Sequence, residues 1–298
     1  MAVIAALGIA LTSAALRKTE PPVVALWALL LMFLFYNGIA GTMLSENLGL
    51  ALGCLAFVCL WAAAGNRRLL MFLAGVFLMT LAQITRSGAV LVLPLLIFWG
   101  AFWIASDIRT RMIVIIGGCT AIFLGFLLNK MLLMLGGGNT EIAFSNFSDT
   151  LYGLSVGCGW RQISLDYPGI AALSEPVRSQ NIYKLALDNI INQPVIFIGS
   201  LLSNLNTYVL TDGGMNMVAG VKAWLLVQIP SLFGIFWCFR FIKEPRYALL
   251  LIVLFGVLLS STIITEDGGL RVFAATVPFS VAIAALGLRW FYIKSIRN

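Results

Sequence analysis

Residues 112–135, MIVIIGGCTAIFLGFLLNKMLLML, form a long apolar run that ends at Gly136-Gly137-Gly138-Asn139. Lys130 is the only charged residue in this run. A run of this length is sufficient to cross about 30 Å of hydrocarbon as an α-helix. The glycines open the only long polar interval of the chain, which extends to Met217. In a membrane protein, such an interval is where water-soluble substrates meet side chains held by the helices.

Other apolar runs lie on both sides of these two segments. The runs that are long enough, or nearly long enough, to cross a membrane lie at 1–16, 23–43, 48–64, 69–85, 89–105, 218–239, 247–264 and 272–292. Backbone groups in lipid must be satisfied within each segment, and the sequence lacks the alternation that is typical of barrel strands. We therefore predict an all-α polytopic membrane protein with about nine transmembrane helices and a large outer-face loop that contains interfacial helices.

The same pattern divides the chain into three parts. Residues 1–135 are predicted to be an N-terminal membrane part of about six helices. Residues 136–217 are predicted to be an outer-face polar region with amphipathic helices. Residues 218–298 are predicted to be a C-terminal membrane part of about three helices.

Two segments of the polar region have a helical pattern. In residues 180–193, apolar side chains repeat every four positions at Ile182, Ala186 and Ile190, which predicts a helix that lies flat on the membrane up to Pro194. Residues 195–210 are apolar, but a crossing there would place the basic residues near Arg240 outside. We predict an interfacial or re-entrant helix, broken by polar residues at Ser203, Asn204, Asn206 and Thr207.

The composition excludes several classes of protein. Hydrophobic residues make up 61% of the chain and charged residues 10%, with a mean hydropathy of +1.00; a soluble domain cannot carry this on its surface. The net charge is +7, but the basic residues occur in ones and twos between apolar runs, which argues against nucleic-acid binding. Histidine is absent, so histidine bases, histidine metal ligands and a Ser-His-Asp triad are excluded.

Lys and Arg positions predict the orientation of the chain. Short connectors hold most of the basic residues at 17–18, 67–68, 109–111, 240–246 and 289–297. The positive-inside rule places these connectors in the cytoplasm, with the N-terminus outside and the C-terminus cytoplasmic. Most acidic residues then lie outside, together with the polar interval.

Two arginines lie at membrane-segment ends on the predicted outer side. Arg86 joins two apolar runs through a tight turn, where it either snorkels to the surface or binds an anionic group. Glu266, Asp267 and two glycines lead into Arg271 at the start of the last apolar run. This group either forms a solvated turn or binds a diphosphate or a sugar.

Several other positions are candidates for a substrate cavity or a phosphate contact. Glu46 either caps the helix that begins behind Ser45 or faces a substrate. Four aromatic residues of the polar interval either stack on sugars or anchor the interval at the membrane interface: Tyr152, Trp160, Tyr167 and Tyr183. Arg161, which follows Trp160, is a further candidate for the substrate cavity. Lys130 either binds phosphate or snorkels.

Several motifs together resemble the GT-C glycosyltransferases, in particular the bacterial protein-mannosyltransferase and aminoarabinose-transferase type. They lie over most of the chain, and none of them is diagnostic alone. The motifs are Ser45-Glu46-Asn47-Leu48, Asn66-Arg67-Arg68, Leu73-Ala74-Gly75, Thr85-Arg86-Ser87, Leu91-Val92-Leu93-Pro94, Leu151-Tyr152-Gly153-Leu154, Ile182-Tyr183, Asn192-Gln193-Pro194, and Gly268-Gly269-Leu270-Arg271 leading to Pro278.

The resemblance implies an inverting transferase in the bacterial cytoplasmic membrane, without a metal or another cofactor. The donor of such a transferase is a polyprenyl-phosphate-linked sugar, and membrane lipids surround the enzyme. Arg271 and Arg86 match arginines of the family, and we expect them, with Lys130, to bind the donor phosphate. The family's catalytic carboxylate lies in a first outer loop that has no counterpart here, so no catalytic residue is assigned. A separately encoded N-terminal portion or a partner subunit would supply it.

Two other functions fit the sequence. A transporter or flippase for lipid-linked saccharides would need ionisable residues deep within its spans, and the centres of these runs are almost free of charge. A non-catalytic membrane subunit of a glycosyltransferase complex would bind its partner through the outer polar interval.

Overall fold

The computed structural model describes residues 2–40, 45–85, 88–136, 146–211, 227–264 and 269–297. Helices make up 88% of these residues, and no β-strand occurs in these ranges. The predicted all-α class is therefore confirmed. Thirteen helices are present in this part of the chain: α1 Ala2–Arg17, α2 Pro22–Asn37, α3 Ser45–Asn66, α4 Leu69–Thr85, α5 Val92–Trp99, α6 Ile108–Leu135, α7 Asn146–Val156, α8 Gln162–Asp166, α9 Glu175–Asn192, α10 Pro194–Asn206, α11 Ile229–Arg240, α12 Pro245–Ile264 and α13 Val277–Arg297.

Short irregular helices extend this framework. Single π-helical stretches follow α5 at Gly100–Ile104 and α10 at Thr207–Thr211. A 3₁₀ stretch at Pro168–Ala172 precedes α9, and another at Gly269–Thr276 leads into α13. Proline begins α2, α10 and α12, where its missing N–H has no helical partner in any case.

Four helices are long and apolar enough to cross a membrane: α3, α6, α12 and Val272–Arg289. Five shorter apolar helices lie at α1, α2, α4, Val92–Ile104 and α11. A further candidate is the pair formed by α9 and residues Pro194–Leu210, which is bent by 104° and is either a broken span or a re-entrant loop. The described residues therefore contain four or five helices that meet the full length requirement.

The apolar helices share one hydrophobic core, with α3 near its centre. This core includes buried residues from α1 to α6 and from α11 to α13, which we call the bundle. Phe57 of α3 meets Phe279 of α13 edge to face, with ring centroids 5.0 Å apart. Gly53 of α3 faces the backbone of Ala275 so closely that a Cβ atom would clash there. Such small-residue contacts are typical of helix packing in lipid.

A second, smaller core lies in residues 146–192, which we call the subdomain. Its buried apolar side chains are Tyr152, Ile163, Ile170, Ile182 and Ala186. Ile182 and Ala186 lie on the face of α9 that was predicted to rest on the membrane. These two side chains therefore do not touch lipid as predicted, because they are buried in the subdomain core, where α9 packs against α7. The position of α9 at the membrane surface stays a prediction.

The segment after α9 agrees with its prediction in part. Helix α10 passes Ser203 and Asn204 unbroken, ends at Asn206 and is followed by a π-helical stretch from Thr207. Asn204 is buried, and its side-chain amide donates a hydrogen bond of 3.1 Å to the Thr262 carbonyl of α12. Asn204 therefore docks α10 on the bundle through a hydrogen bond between helices.

Candidate functional site

One end of the bundle brings together three segments that the sequence singles out. Gly49 in the first turns of α3 lies against the end of α4, because a Cβ atom there would be 3.0 Å from Thr85 Oγ1. Gly88, in the turn after α4, packs against the backbone of Val272. We call this end, formed by the start of α3, the end of α4, the turn at 88–91 and residues 272–276, the subdomain end.

The contact at Gly88 involves sequence neighbours of the two candidate arginines, Arg86 and Arg271. Gly88 lies two positions after Arg86, and Val272 lies one position after Arg271. A side chain at position 88 would clash with the Val272 carbonyl, so the close approach requires glycine. The described neighbours of both arginines therefore touch each other.

Polar side chains are buried at the same end. Glu46 and Asn47 in the first turn of α3 are 1% and 5% exposed. Gln83 near the end of α4 is also buried, and its Oε1 accepts a hydrogen bond of 3.1 Å from the Ala89 amide. Glu46 is thus buried in the first turn of α3, where both its predicted role as a cap and its predicted role in a substrate cavity remain open.

The subdomain is attached to this end through α10. Helix α10 contacts both α7 of the subdomain and α12 of the bundle. Just beyond α10, Tyr208 meets Phe273 edge to face, with ring centroids 4.9 Å apart. Because Phe273 follows Val272, the subdomain lies beside the segment that carries Arg271.

A buried ion pair joins the two long helices of the subdomain. The Arg178 guanidinium of α9 donates to both carboxylate oxygens of Asp149 in α7, at 2.8 and 2.7 Å. The two side chains are only 12% and 6% exposed. Such a pair fixes the spacing of α7 and α9 strongly, because both charges have lost most of their contact with water.

The aromatic candidates of the polar region occupy different environments. The Trp160 ring is stacked with the Arg161 guanidinium, whose Cζ lies 5.1 Å from the ring centroid. Tyr183 is half-buried in α9, and burial raises the pKa of its hydroxyl, with Asp149 acting in the same direction. Lys130 is exposed near the end of α6. The described contacts do not bring these residues into one cavity.

Other candidate positions lie outside the described residues. These are Arg86, Glu266 and Asp267, as well as the side chain of Arg271, whose backbone belongs to the 3₁₀ stretch. Within the described ranges, no group of three His, Cys, Asp or Glu residues is placed to hold a metal ion.

The opposite end of the bundle holds a polar cluster that the sequence analysis missed. Glu20, between α1 and α2, forms an ion pair with Arg289 of α13 and accepts a hydrogen bond of 3.0 Å from the Tyr247 hydroxyl. Arg289 also donates to that hydroxyl at 2.8 Å and lies 4.9 Å from the Trp237 ring. Burial raises the pKa of Glu20, while Arg289 acts in the opposite direction.

This cluster defines what we call the basic end. Arg246 lies here over Trp61, near the last turn of α3, at 5.7 Å. Because α3 has 22 residues, its two termini are about 33 Å apart. The subdomain and the basic connector at Arg67-Arg68 are therefore on opposite ends of the bundle.

Comparisons with known proteins do not identify a relative: no protein family, curated protein or solved structure matches the chain.

Proposed function

We propose that this chain is a membrane glycosyltransferase of the GT-C type, or a substantial part of one, that acts at the subdomain end. The observation that carries this proposal is the contact between Gly88 and Val272, which joins the neighbours of Arg86 and Arg271. A guanidinium fork binds phosphate through two parallel hydrogen bonds, so two arginines at one membrane-segment end suit a lipid phosphate. The subdomain beside them offers a water-facing surface for the acceptor.

The proposed membrane arrangement has about nine crossings. The lengths and apolar composition of four long helices and five shorter apolar helices support this arrangement. Helices α9 and α10 form a re-entrant corner on the outer face. Leu187, Ile191 and Val195 around its bend are 53%, 75% and 80% exposed, as expected for a surface that touches lipid. The basic end faces the cytoplasm of a bacterium, and the N-terminus lies outside.

The chemistry in this proposal is a displacement at the anomeric carbon of the lipid-linked sugar. The acceptor hydroxyl forms the new bond to this carbon as its bond to the lipid phosphate oxygen breaks. A carboxylate takes the acceptor proton, and the arginines offset the charge that develops on the departing phosphate. In this proposal, Arg86 and Arg271 of this chain bind the phosphate, and no residue of the chain is assigned as the carboxylate base.

The test is donor binding and transfer by the full chain in lipid nanodiscs, with undecaprenyl-phosphate-linked sugar as the probe. We expect Arg271→Ala and Arg86→Ala each to weaken donor binding by about tenfold to a hundredfold, the effect of removing a hydrogen bond to a charged group. Arg240→Ala is the matched control, because Arg240 is exposed at the basic end. Unchanged binding in both site variants would show that the arginines do not hold the phosphate.

Transfer is read separately, as release of undecaprenyl phosphate with the sugar on an acceptor. Movement of the intact donor across the bilayer without such release would instead favour a flippase. Inactivity of the isolated chain, with activity restored by a co-purifying protein, would favour a subunit of a larger transferase.

A further inference from the structure

A groove of about 710 Å³ lies on the subdomain, between the outward face of α9 and a first segment that consists of the last residue of α8 and the residues after it. The side chains from the first segment include Asp166, Tyr167 and Leu173. Those from α9 include Asn181, Lys184 and Asp188. The groove is therefore lined by an aromatic ring, apolar carbons and hydrogen-bonding groups of both kinds.

The aromatic wall of the groove is held in place. Tyr167 is 43% exposed. Behind it, the Tyr152 ring meets the Tyr167 ring edge to face, with centroids 6.2 Å apart and an interplanar angle of 81°. A fixed and partly exposed ring is suited to stacking on the C–H face of a sugar, because both surfaces are apolar and flat.

Asp166 is also fixed. One carboxylate oxygen accepts a hydrogen bond of 2.8 Å from the Tyr152 hydroxyl, and the other accepts one of 2.8 Å from the Gln162 amide. Burial raises the pKa of Tyr152, and its hydrogen bond to Asp166 adds to this effect, so this hydroxyl remains a donor. Each carboxylate oxygen can accept a further hydrogen bond, since an oxygen of this kind has two acceptor sites.

Helix α9 supplies the facing wall. Asn181, Lys184 and Asp188 are three, four and seven positions apart, which places them on one face. Within the described ranges, neither Lys184 nor Asp188 forms an ion pair with another side chain. Their amide, ammonium and carboxylate groups therefore offer both donors and acceptors to a bound molecule.

We infer that this groove binds a saccharide, and that it holds the acceptor glycan of the proposed transferase. The inference of an acceptor rests on the proposed function, whereas saccharide binding does not. Hydroxyl groups both donate and accept, as the groove does, and sugar rings present a flat apolar face to an aromatic side chain. Two carboxylates face one ammonium group, so the groove is selective for neutral or amino sugars over acidic ones.

The test uses the full chain in detergent and three disaccharides: cellobiose, a glucosamine disaccharide and a uronic-acid disaccharide. Ligand-observed NMR measures the affinity for each. We expect cellobiose or the glucosamine disaccharide to bind, and the uronic-acid disaccharide to bind at least about tenfold more weakly. Tyr167→Ala is expected to weaken binding by about tenfold or more.

Trp160→Ala is the matched aromatic control. Its ring is stacked with Arg161 and is not part of the groove. Binding that survives Trp160→Ala but is lost in Tyr167→Ala, with an unchanged thermal midpoint, supports the inference. Absence of binding to all three disaccharides, or equal loss in both variants, overturns it.

This test separates the two proposals. Binding at the groove without glycosyl transfer, either by the chain alone or together with a co-purifying protein, would support the saccharide site and exclude the proposed transferase. Transfer that is unaffected by Tyr167→Ala would leave the enzyme and remove the groove as its acceptor site.

Discussion

Replacing Arg289 with methionine is expected to lower the free energy of unfolding by about 3–5 kcal/mol, the usual cost of removing one partner of a buried ion pair. The side chain of Glu20 is only 2% exposed, and the Tyr247 hydroxyl would be its one remaining hydrogen-bond donor among the described residues, with Arg246 acting on it only through its charge. Glu20 and Arg289 are 269 positions apart in the sequence. Removing their ion pair therefore weakens the contact between the connector that joins α1 to α2 and helix α13. The change in the free energy of unfolding is measured by thermal or denaturant unfolding in detergent.

The pH dependence of this cost follows from Glu20. Burial already raises its pKa, and removing Arg289 removes the largest influence that lowers it. The ionised form is then disfavoured in the folded protein, so the variant loses stability as the pH rises through the raised pKa. We expect the cost to be smaller near pH 4.5, the usual value for this carboxyl group, than at neutral pH.

Two further variants make this prediction specific. Glu20→Leu combined with Arg289→Met is expected to recover most of the loss, because apolar groups replace both charges. Arg240→Met is the control, since Arg240 is exposed at the same end of the bundle and should change stability by less than about 0.5 kcal/mol. Equal effects of Arg289→Met and Arg240→Met would contradict a structural role for the pair.

Arg178→Met is expected to have a similarly large effect, confined to the subdomain. It leaves the Asp149 carboxylate, at 6% exposure, without its bidentate partner. The expected cost is about 3 kcal/mol, which corresponds to hydrogen exchange of the α9 amides that is roughly a hundredfold faster. Exchange in the centre of α3 should not change, because α3 belongs to the separate core of the bundle.

Lys184→Met is the control for this prediction. Lys184 lies on the same helix, is exposed and forms no ion pair in the described part of the chain. We expect its amide exchange to match that of the unchanged protein within about 0.5 kcal/mol. If Arg178→Met also leaves α9 exchange unchanged, the ion pair does not hold α7 and α9 together.

Much of the fold could be predicted from apolar runs alone. The run at 69–85 coincides with α4, and the run at 112–135 lies within α6. Helix α6 begins earlier than predicted because the Asp107 side chain accepts a hydrogen bond of 2.9 Å from the Thr110 amide and caps it. Apolar length is a local property, so it can be read without knowing the neighbours of a segment.

Contacts between distant residues could not be predicted in this way. Nothing in the sequence near Glu20 indicates that its partner is Arg289, and the helices of Asp149 and Arg178 are separated by one short helix and a 3₁₀ stretch. The spacing of Ile182 and Ala186 predicted an amphipathic helix correctly. It did not show whether lipid or protein covers the apolar face, because a hydrophobic pattern has the same form in both cases.

We propose that the subdomain and the basic connectors lie on opposite sides of a membrane. Ser174 begins the segment into α9, and Asn66 ends α3 at the basic end; both are exposed. Each is replaced with cysteine in a background in which the exposed native Cys119 and Cys158 are alanine. A membrane-impermeant maleimide is then added to sealed right-side-out vesicles. We expect Ser174→Cys to react at once and Asn66→Cys to react only after permeabilisation, whereas reaction of both in sealed vesicles would contradict the proposed sidedness.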